Sequence, residues 1–299
     1  MLISNSTVPR ENRVHGDSMF PLACYWHSTL PGEPALDCHW HEEAEFLIVL
    51  EGQTLFQIGT DYFPVQAGEA VFVHGGDIHA GHPLGDQGCS FYAVVFNMKW
   101  LKSGLFDRLH QDYIQPLLEE RKSLPAHYVP VAPFGSAVIE HLHALRLDAE
   151  SSRTGYELSI KARLYLILAE IASGSHWTER HAGTHQQTNQ LESLKKVLAY
   201  IEDHYQDRIY LHELAQIAHM GEAQFCRFFK KLVRKTPIAY INSYRVRRAA
   251  ALLEQGDRKL LDIAMEVGFE NPSYFNKRFK EEMRCTPAEF RKSIQNPNW

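Results

Sequence analysis

The sequence contains no apolar run approaching the ~20 residues needed to cross a bilayer, which excludes a membrane-spanning helix. Its opening stretch, Met1 to Gly16, is polar and lacks the apolar core of a secretory signal, so a cytoplasmic protein is expected. Cysteine is sparse: Cys24, Cys38, Cys89, Cys226 and Cys285 are odd in number, scattered, and nowhere in C-x-x-C spacing. That pattern excludes a disulfide framework and a cysteine zinc cluster, and leaves reduced thiols. Positive charge is scarce in the first 189 residues, which hold 12 Lys and Arg against 22 Asp and Glu. From Gln190 onward the balance reverses to 19 against 14, within a net charge of −5. A basic C-terminal third beside an acidic remainder points to a polyanion-binding module carried by a different kind of domain.

That basic third repeats itself. Leu214-Ala215-Gln216-Ile217-Ala218-His219-Met220 is echoed 49 positions later by Ile263-Ala264-Met265-Glu266-Val267-Gly268-Phe269. After one extra residue the echo continues at an offset of 50, with Phe225-Cys226-Arg227-Phe228-Phe229-Lys230 answered by Phe275-Asn276-Lys277-Arg278-Phe279-Lys280. Each copy has the pattern of a helix-turn-helix, and two in one chain can enter neighbouring major-groove segments. In the first, Leu211 to Ala218 and Glu222 to Val233 are the helices. Phe225, Phe228, Phe229 and Leu232 fall at i, i+3, i+4 and i+7 and face inward. Ala223, Gln224, Cys226 and Arg227 are left on the other faces. Gln pairs with adenine and Arg with guanine through two hydrogen bonds each.

In the second copy Asn271 is a natural N-cap and Pro272 opens the helix. Tyr274, Phe275 and Phe279 are expected inside, while Ser273, Asn276 and Lys277 face the groove and Arg278 and Lys280 approach phosphates. Between the copies, Thr236 and Pro237 start a helix that Gly256 terminates after Gln255. Its Arg245, Arg247 and Arg248 are expected to meet the DNA backbone. Thr286-Pro287-Ala288-Glu289 has the spacing of a capping box.

Residues from about Leu194 to Ser293 resemble the DNA-binding domain of the AraC/XylS family of bacterial transcription regulators. Asp262 to Phe269, then Asn271-Pro272-Ser273-Tyr274-Phe275, Phe279-Lys280 and Thr286-Pro287, carry the resemblance. It implies double-stranded promoter or operator DNA as partner, with Ala223, Gln224, Cys226 and Arg227 at bases in one groove segment. Pro272, Ser273, Asn276 and Lys277 would serve the next. Activation is the family default. Tyr210-Leu211-His212 departs from the pattern, since the family often has a polar helix cap there.

Upstream, residues from about Phe20 to Phe96 alternate short β-rich runs with Gly, Asp and Pro turns. Phe46 to Leu50, Thr54 to Ile58, Ala70 to Val73 and Phe91 to Phe96 are the clearest strands, separated by breaks such as Glu51-Gly52. From Leu101 the period becomes helical, with helices expected over Leu105 to Glu120, Phe134 to Leu147 and Gly155 to Ala172. The last carries Leu158, Ala162, Tyr165, Leu168 or Ala169, and Ala172 on one face, suited either to the core or to a homodimer seam. Ser173 to Gln190 has no apolar period and reads as a linker, its His176, His181 and His185 solvated.

His39-x-His41-x3-Glu45-x6-Gly52, followed by Gly68-x7-Gly76-x2-His79, resembles the paired motifs of the cupin barrel, with His74 standing where that pattern usually has Pro. Residues 39, 41 and 45 share strand parity, so their side chains can point together into a barrel that His79 reaches from another strand. Three imidazoles and a carboxylate suit Zn²⁺, Fe²⁺, Ni²⁺ or Mn²⁺. Sensor domains of the regulator family resemble cupins without always holding metal. The same four residues, with Trp40, can instead hydrogen-bond a small organic effector. Trp40, Phe56, Tyr62, Phe72 and Tyr92 are aromatic positions suited to a sugar ring.

The expected architecture is α+β. It has a cupin-like effector-sensing barrel over 1–100, a helical dimerisation or packing segment over 101–173, a linker over 174–190, and an all-α tandem helix-turn-helix domain over 191–299 joined by a linker helix. The expected function is a non-enzymatic regulator that requires no cofactor; the alternative is a metal-dependent cupin enzyme fused to a DNA-binding module.

Overall fold

The computed structural model describes residues 15–295, apart from 106, 152, 180–184 and 257. The residues before His15, and His181 of the expected linker, lie outside the described residues. Two compact units divide the chain between Thr184 and His185. Among the described residues no helix is long and apolar enough to cross a membrane.

The first unit is built on strands β1 (Leu22–Ser28), β2 (Leu36–His39), β3 (Ala44–Ile58), β4 (Asp61–Gln66), β5 (Ala70–Val73), β6 (His79–Pro83) and β7 (Cys89–Phe96). The two runs expected on either side of Glu51-Gly52 are one strand, β3, with a register shift between Val49 and Glu51. A bulge of this kind bends a strand without ending it. The bend lets β3 serve two sheets: residues 44–52 pair with β5 and β7, and residues 53–58 pair with β4 and β6. All these pairings are antiparallel.

Strict alternation sorts the side chains. Leu47, Val49, Val71, Val73, Phe91 and Ala93 turn toward Phe56 and Val65 and fill the space between the sheets. Phe46, Ile48, Phe72, Tyr92, Val94 and Phe96 point the other way, into a second core shared with helices. Phe72 and Tyr92 therefore belong to the helix-facing layer, the core reading that most of these aromatics also admit. Phe56 is core as well.

The helices of that layer are α1 (Gln115–Leu118), α2 (Pro133–Ser151) and α3 (Tyr156–Ser173). The helix expected over Leu105 to Glu120 is present over 108–118, with a π-helical stretch, His110–Ile114, that tightens into α1. Pro116 explains the change, because it has no N–H to continue the regular i→i−4 ladder. On α3 the stripe differs from expectation. Ile160, Leu164, Ile167, Leu168 and Ile171 are buried, whereas Leu158 is 77% and Leu166 45% exposed. The expected stripe is split: Leu168 is buried and Tyr165 packs on the core, while Leu158, Ala162 and Ala169 are exposed. Asp148 ties the α2–α3 pair, accepting from Arg163 Nε at 2.8 Å and Arg153 at 3.1 Å.

Short strands β8 (Lys122–Ser123) and β9 (His127–Tyr128) complete the unit with β10 (Thr178–Glu179), which pairs with β8. The expected linker is thus partly structured: Thr178 is pinned to Ser123, and the His176 ring stacks on Phe134 at 3.9 Å. The following helix, α4 (His185–His204), begins inside the segment expected to be loose.

The second unit contains α4, α5 (Leu211–Ile217), α6 (Glu222–Val233), α7 (Pro237–Glu254), α8 (Leu260–Glu266), α9 (Pro272–Met283) and α10 (Pro287–Gln295). The sequence echo is reproduced residue for residue. Helices α5 and α8 start 49 apart, α6 and α9 start 50 apart, and the left-handed C-caps Arg234 and Arg284 share φ 60°. The extra residue lies in the second turn. Thr236 caps α7 by accepting from Ala239 N, and Thr286 and Glu289 cap α10 reciprocally. At Tyr210, where a polar cap was missing, the Glu213 carboxylate accepts from Tyr210 N at 2.9 Å.

The turn of the second copy sets a hard limit. Gly268 has φ +89°, and a Cβ there would lie 2.6 Å from Tyr205 O and 2.7 Å from Gln206 O. Its counterpart His219 also has positive φ but carries a side chain. Gly268→Ala is expected to lower stability by about 1–3 kcal/mol from backbone strain, with the clash adding to it, read as a fall in the denaturant midpoint. An unchanged midpoint would show that the turn relaxes freely.

Candidate DNA-reading surface and buried polar site

The two reading helices gain their orientation from phenylalanine pairs on one face. Phe225 and Phe229 of α6, and Phe275 and Phe279 of α9, are fully buried at matching positions. Ala223, Gln224 and Arg227 are consequently exposed on α6, with Cys226 half-buried between them. On α9, Pro272, Ser273, Asn276 and Lys277 are exposed. Asn271 accepts from Ser273 N and Tyr274 N and fixes the first turn of α9. Tyr274, expected inside, is 45% exposed, and its hydroxyl accepts from buried Asn242 Nδ2 on α7 at 3.0 Å.

The arginines of α7 are engaged within the domain itself. Arg245 donates from Nε to Tyr205 O and from a terminal nitrogen to Asp207 O, both at 2.7 Å. It staples α7 to the chain entering α5, under the Phe269 ring, and is corrected from a phosphate contact to a positioning residue. Arg247 is buried with its guanidinium 3.7 Å from Glu282, and Arg248 lies over the Tyr205 ring. Glu282 on α9 also accepts from Ser243 of α7 at 2.5 Å and from Lys235 at 3.4 Å. These charges hold the spacing between the reading helices. The spacing of Arg245, Arg247 and Arg248 along the chain gave no sign of that role, because their partners lie on other helices.

In the first unit His39, His41, Glu45 and His79 come together, all buried, with their ligand atoms within 4.8 Å of one another. The fold explains each. Glu45 shares the inward parity of Leu47 and Val49, His39 and His79 are register partners across β2 and β6, and His41 precedes β3. The turn of the second motif packs on the first: Gly76 N donates to His41 O at 2.6 Å, and a Cβ on Gly75 would strike Glu42 O at 2.3 Å. His74, in the place of the usual Pro, bonds its neighbour Gly75 O. Trp40 is buried with opposite parity, and Tyr62 lies beside His82, outside the cluster.

The three imidazoles of the cluster are oriented alike. Nδ1 of His39, His41 and His79 donates to the carbonyls of Asp37, Glu43 and Asp77 at 2.8, 3.0 and 2.9 Å. A carbonyl only accepts, so Nδ1 carries the proton and, in a neutral ring, Nε2 carries a lone pair. Glu45 Oε2 sits 3.0 Å from His79 Nε2 and 3.4 Å from His41 Nε2. Burial pushes the Glu45 carboxyl up, but hydrogen bonding and charge from His41 and His79 outweigh it and hold the group well below the usual carboxylate range. Burial, then the charges of His79 and His41, lowers His39 well below the ordinary histidine value. A carboxylate facing imidazole lone pairs at 3 Å requires positive charge between them. Either a shared proton or a metal ion meets that need, and the donor set fits a divalent transition ion.

Tandem reading helices in one unit and a convergent polar site in the other define the class, a helix-turn-helix protein with a ligand-binding domain. Residues 33–168 match the model described as the AraC-like ligand binding domain, and residues 214–293 match a helix-turn-helix domain. The Bacillus subtilis (strain 168) HTH-type transcriptional regulator YdeC is 24% identical, over 95% of this chain and 96% of its own length. The HTH-type transcriptional activator RhaR of Mannheimia succiniciproducens is 23% identical, over 87% and 88%. The crystal structure of ToxT from Vibrio cholerae O395 aligns at TM-score 0.44 with 10% identity, over 92% of this chain and 98% of its own. The chain belongs to the AraC family of helix-turn-helix transcriptional regulators.

The depressed value of His39 has a pH consequence. The unfolded state takes up a proton near the ordinary histidine value of 6.5 that the folded site resists, so stability is full above that pH and is lost as pH falls below it. The metal-free protein is expected to melt at progressively lower temperature from pH 7.5 toward 5.5, on the order of a two-unit span. His39→Gln should flatten this dependence, and a parent curve flat across the interval would refute the assignment.

Proposed function

We propose that the protein is a transcription regulator, acting in the cytoplasm as an activator and not as an enzyme, whose affinity for an asymmetric operator is set by a ligand in the sheet domain. The observation that carries this reading is the pair of matched helices with different exposed sets. Ala223, Gln224, Cys226 and Arg227 serve one groove segment, and Pro272, Ser273, Asn276 and Lys277 serve the next. The family supports DNA binding and ligand control, and the name of the RhaR relative supports activation. Ligand and operator are linked by a two-state equilibrium: whatever binds one state more tightly shifts the other site's affinity by the same factor.

For the ligand, the buried tetrad favours a divalent transition ion, held by Nε2 of His39, His41 and His79 and by the Glu45 carboxylate. The ion would supply the positive charge that the carboxylate faces. A sugar draws less support, because Phe56, Phe72 and Tyr92 are committed to core packing. Regulation tests the proposal. Promoter output should respond to metal or to a small ligand, and deletion of Met1 to Ser173 should abolish the response. Stoichiometric iron together with turnover of a substrate would favour the enzyme alternative.

The exposed side of α3 fits a homodimer seam, with Leu158, Ala162, Leu166 and Ala169 outward at helical spacing. Leu158→Glu with Leu166→Glu is expected to convert dimer to monomer in sedimentation experiments, while a dimer that survives both would reject the seam. Arg227→Ala is expected to cost about 1–3 kcal/mol on the specific operator and to relax preference at one base pair. Equal losses on operator and random DNA would place Arg227 on phosphate only.

A further inference from the structure

The buried tetrad has a neighbour outside its sequence motifs. His15 is buried, and its ring centroid lies 5.2 Å from that of His41. Ligand atoms of His15, His41 and Glu43 all fall within 4.8 Å of one another. The fold holds His15 in place. Its Nδ1 is 3.0 Å from the Tyr25 hydroxyl on β1. In the turn that follows it, Asp17 Oδ1 accepts from Met19 N and Phe20 N at 2.7 Å. Glu43 is the more open member: its side chain is 23% exposed, against 1% for His41 and His79 and 5% for Glu45.

We propose that His15, His41 and Glu43 form a second cation position, an entry station through which a divalent transition ion reaches the tetrad. This rests on the reading of the tetrad as a metal site. His41 belongs to both sets: its Nδ1 edge donates to Glu43 O and lies 3.8 Å from the Glu43 carboxylate, while Nε2, the nitrogen with the lone pair, faces Glu45 at 3.4 Å. One lone pair serves one ion, and the two positions are therefore occupied in succession rather than together. The outer set offers two imidazoles and a carboxylate; the inner set offers a third imidazole and deeper burial. An ion captured by Glu43 and His15 beside His41 gains a donor by moving inward to the four-residue set. Only coordination bonds are exchanged, and the ion keeps its charge.

Full-length protein, stripped by chelation and mixed with Co²⁺, tests this through the absorption of the bound ion and metal content after desalting. The parent should take up one ion per chain. His15→Ala and Glu43→Gln should reach the same content and an affinity close to the parent's, but load about tenfold more slowly, a barrier change of about 1.4 kcal/mol. His79→Ala should lose affinity by about 100-fold or more. Loading of both variants at the parent rate would overturn the station. So would a loss of affinity in His15→Ala as deep as in His79→Ala, since His15 would then be a resident ligand. No uptake by the parent would sink the tetrad reading itself, which separates that failure from failure of the station alone. Melting curves establish that each variant is folded, and the partly exposed Glu43→Gln keeps the test open if His15→Ala is not.

Discussion

A carboxylate buried among imidazoles has to be neutralised, and the first unit is arranged around that requirement. Glu45 lies at the inward end of β3, where its neighbours along the strand are Leu47 and Val49. Nothing apolar compensates a charge there, so His41 and His79 do, within 3.4 and 3.0 Å. Their rings are in turn fixed by backbone carbonyls, which determine the tautomer and turn Nε2 inward. The bulge in β3, the β2–β6 register and the Gly75-Gly76 turn all act on this one constellation.

The second unit solves a different problem with the same economy of parts. Two short paired-helix modules have to be held at a fixed spacing, and no single module can do that alone. Helix α7 supplies the spacer, and its charged residues are turned inward to fasten it: Arg245 to the chain before α5, and Arg247 with Ser243 to Glu282 on α9. Removing one partner from the half-buried Arg247–Glu282 pair would leave the other uncompensated, which ties α7 to α9. The surface left for DNA is therefore carried by α6 and α9 themselves.

Much of this was legible in the chain. The 49- and 50-residue echo became helices with matching caps, because capping, helical period and turn length are local properties. The grouping of His39, His41, Glu45 and His79 was legible through the resemblance of their spacing to paired cupin motifs, although His41 lies between β2 and β3 rather than on a strand. Other features were not. Whether the Leu158 side of α3 faces core or solvent stays open in the sequence, since Leu158 and Ile160 compete equally until packing against the rest of the unit decides between them. Tyr274 was read as core from its place beside Phe275, yet its hydroxyl finds Asn242 on another helix and its ring stays half in water. His15 carried no signal, standing alone in a polar stretch well before the motif it meets.

By itself, then, the sequence determined the paired helices, their caps and the residues they expose, which follow from the helical period and local capping, and its paired motifs marked the four polar residues that share a site. Only the tertiary structure decided which way the arginines of α7 turn, which stripe of α3 is covered, that two short runs form one bent strand, and that His15 joins His41. Each of those depends on a partner distant in the chain, and the energy of a hydrogen bond or a buried ring exists only once that partner has arrived.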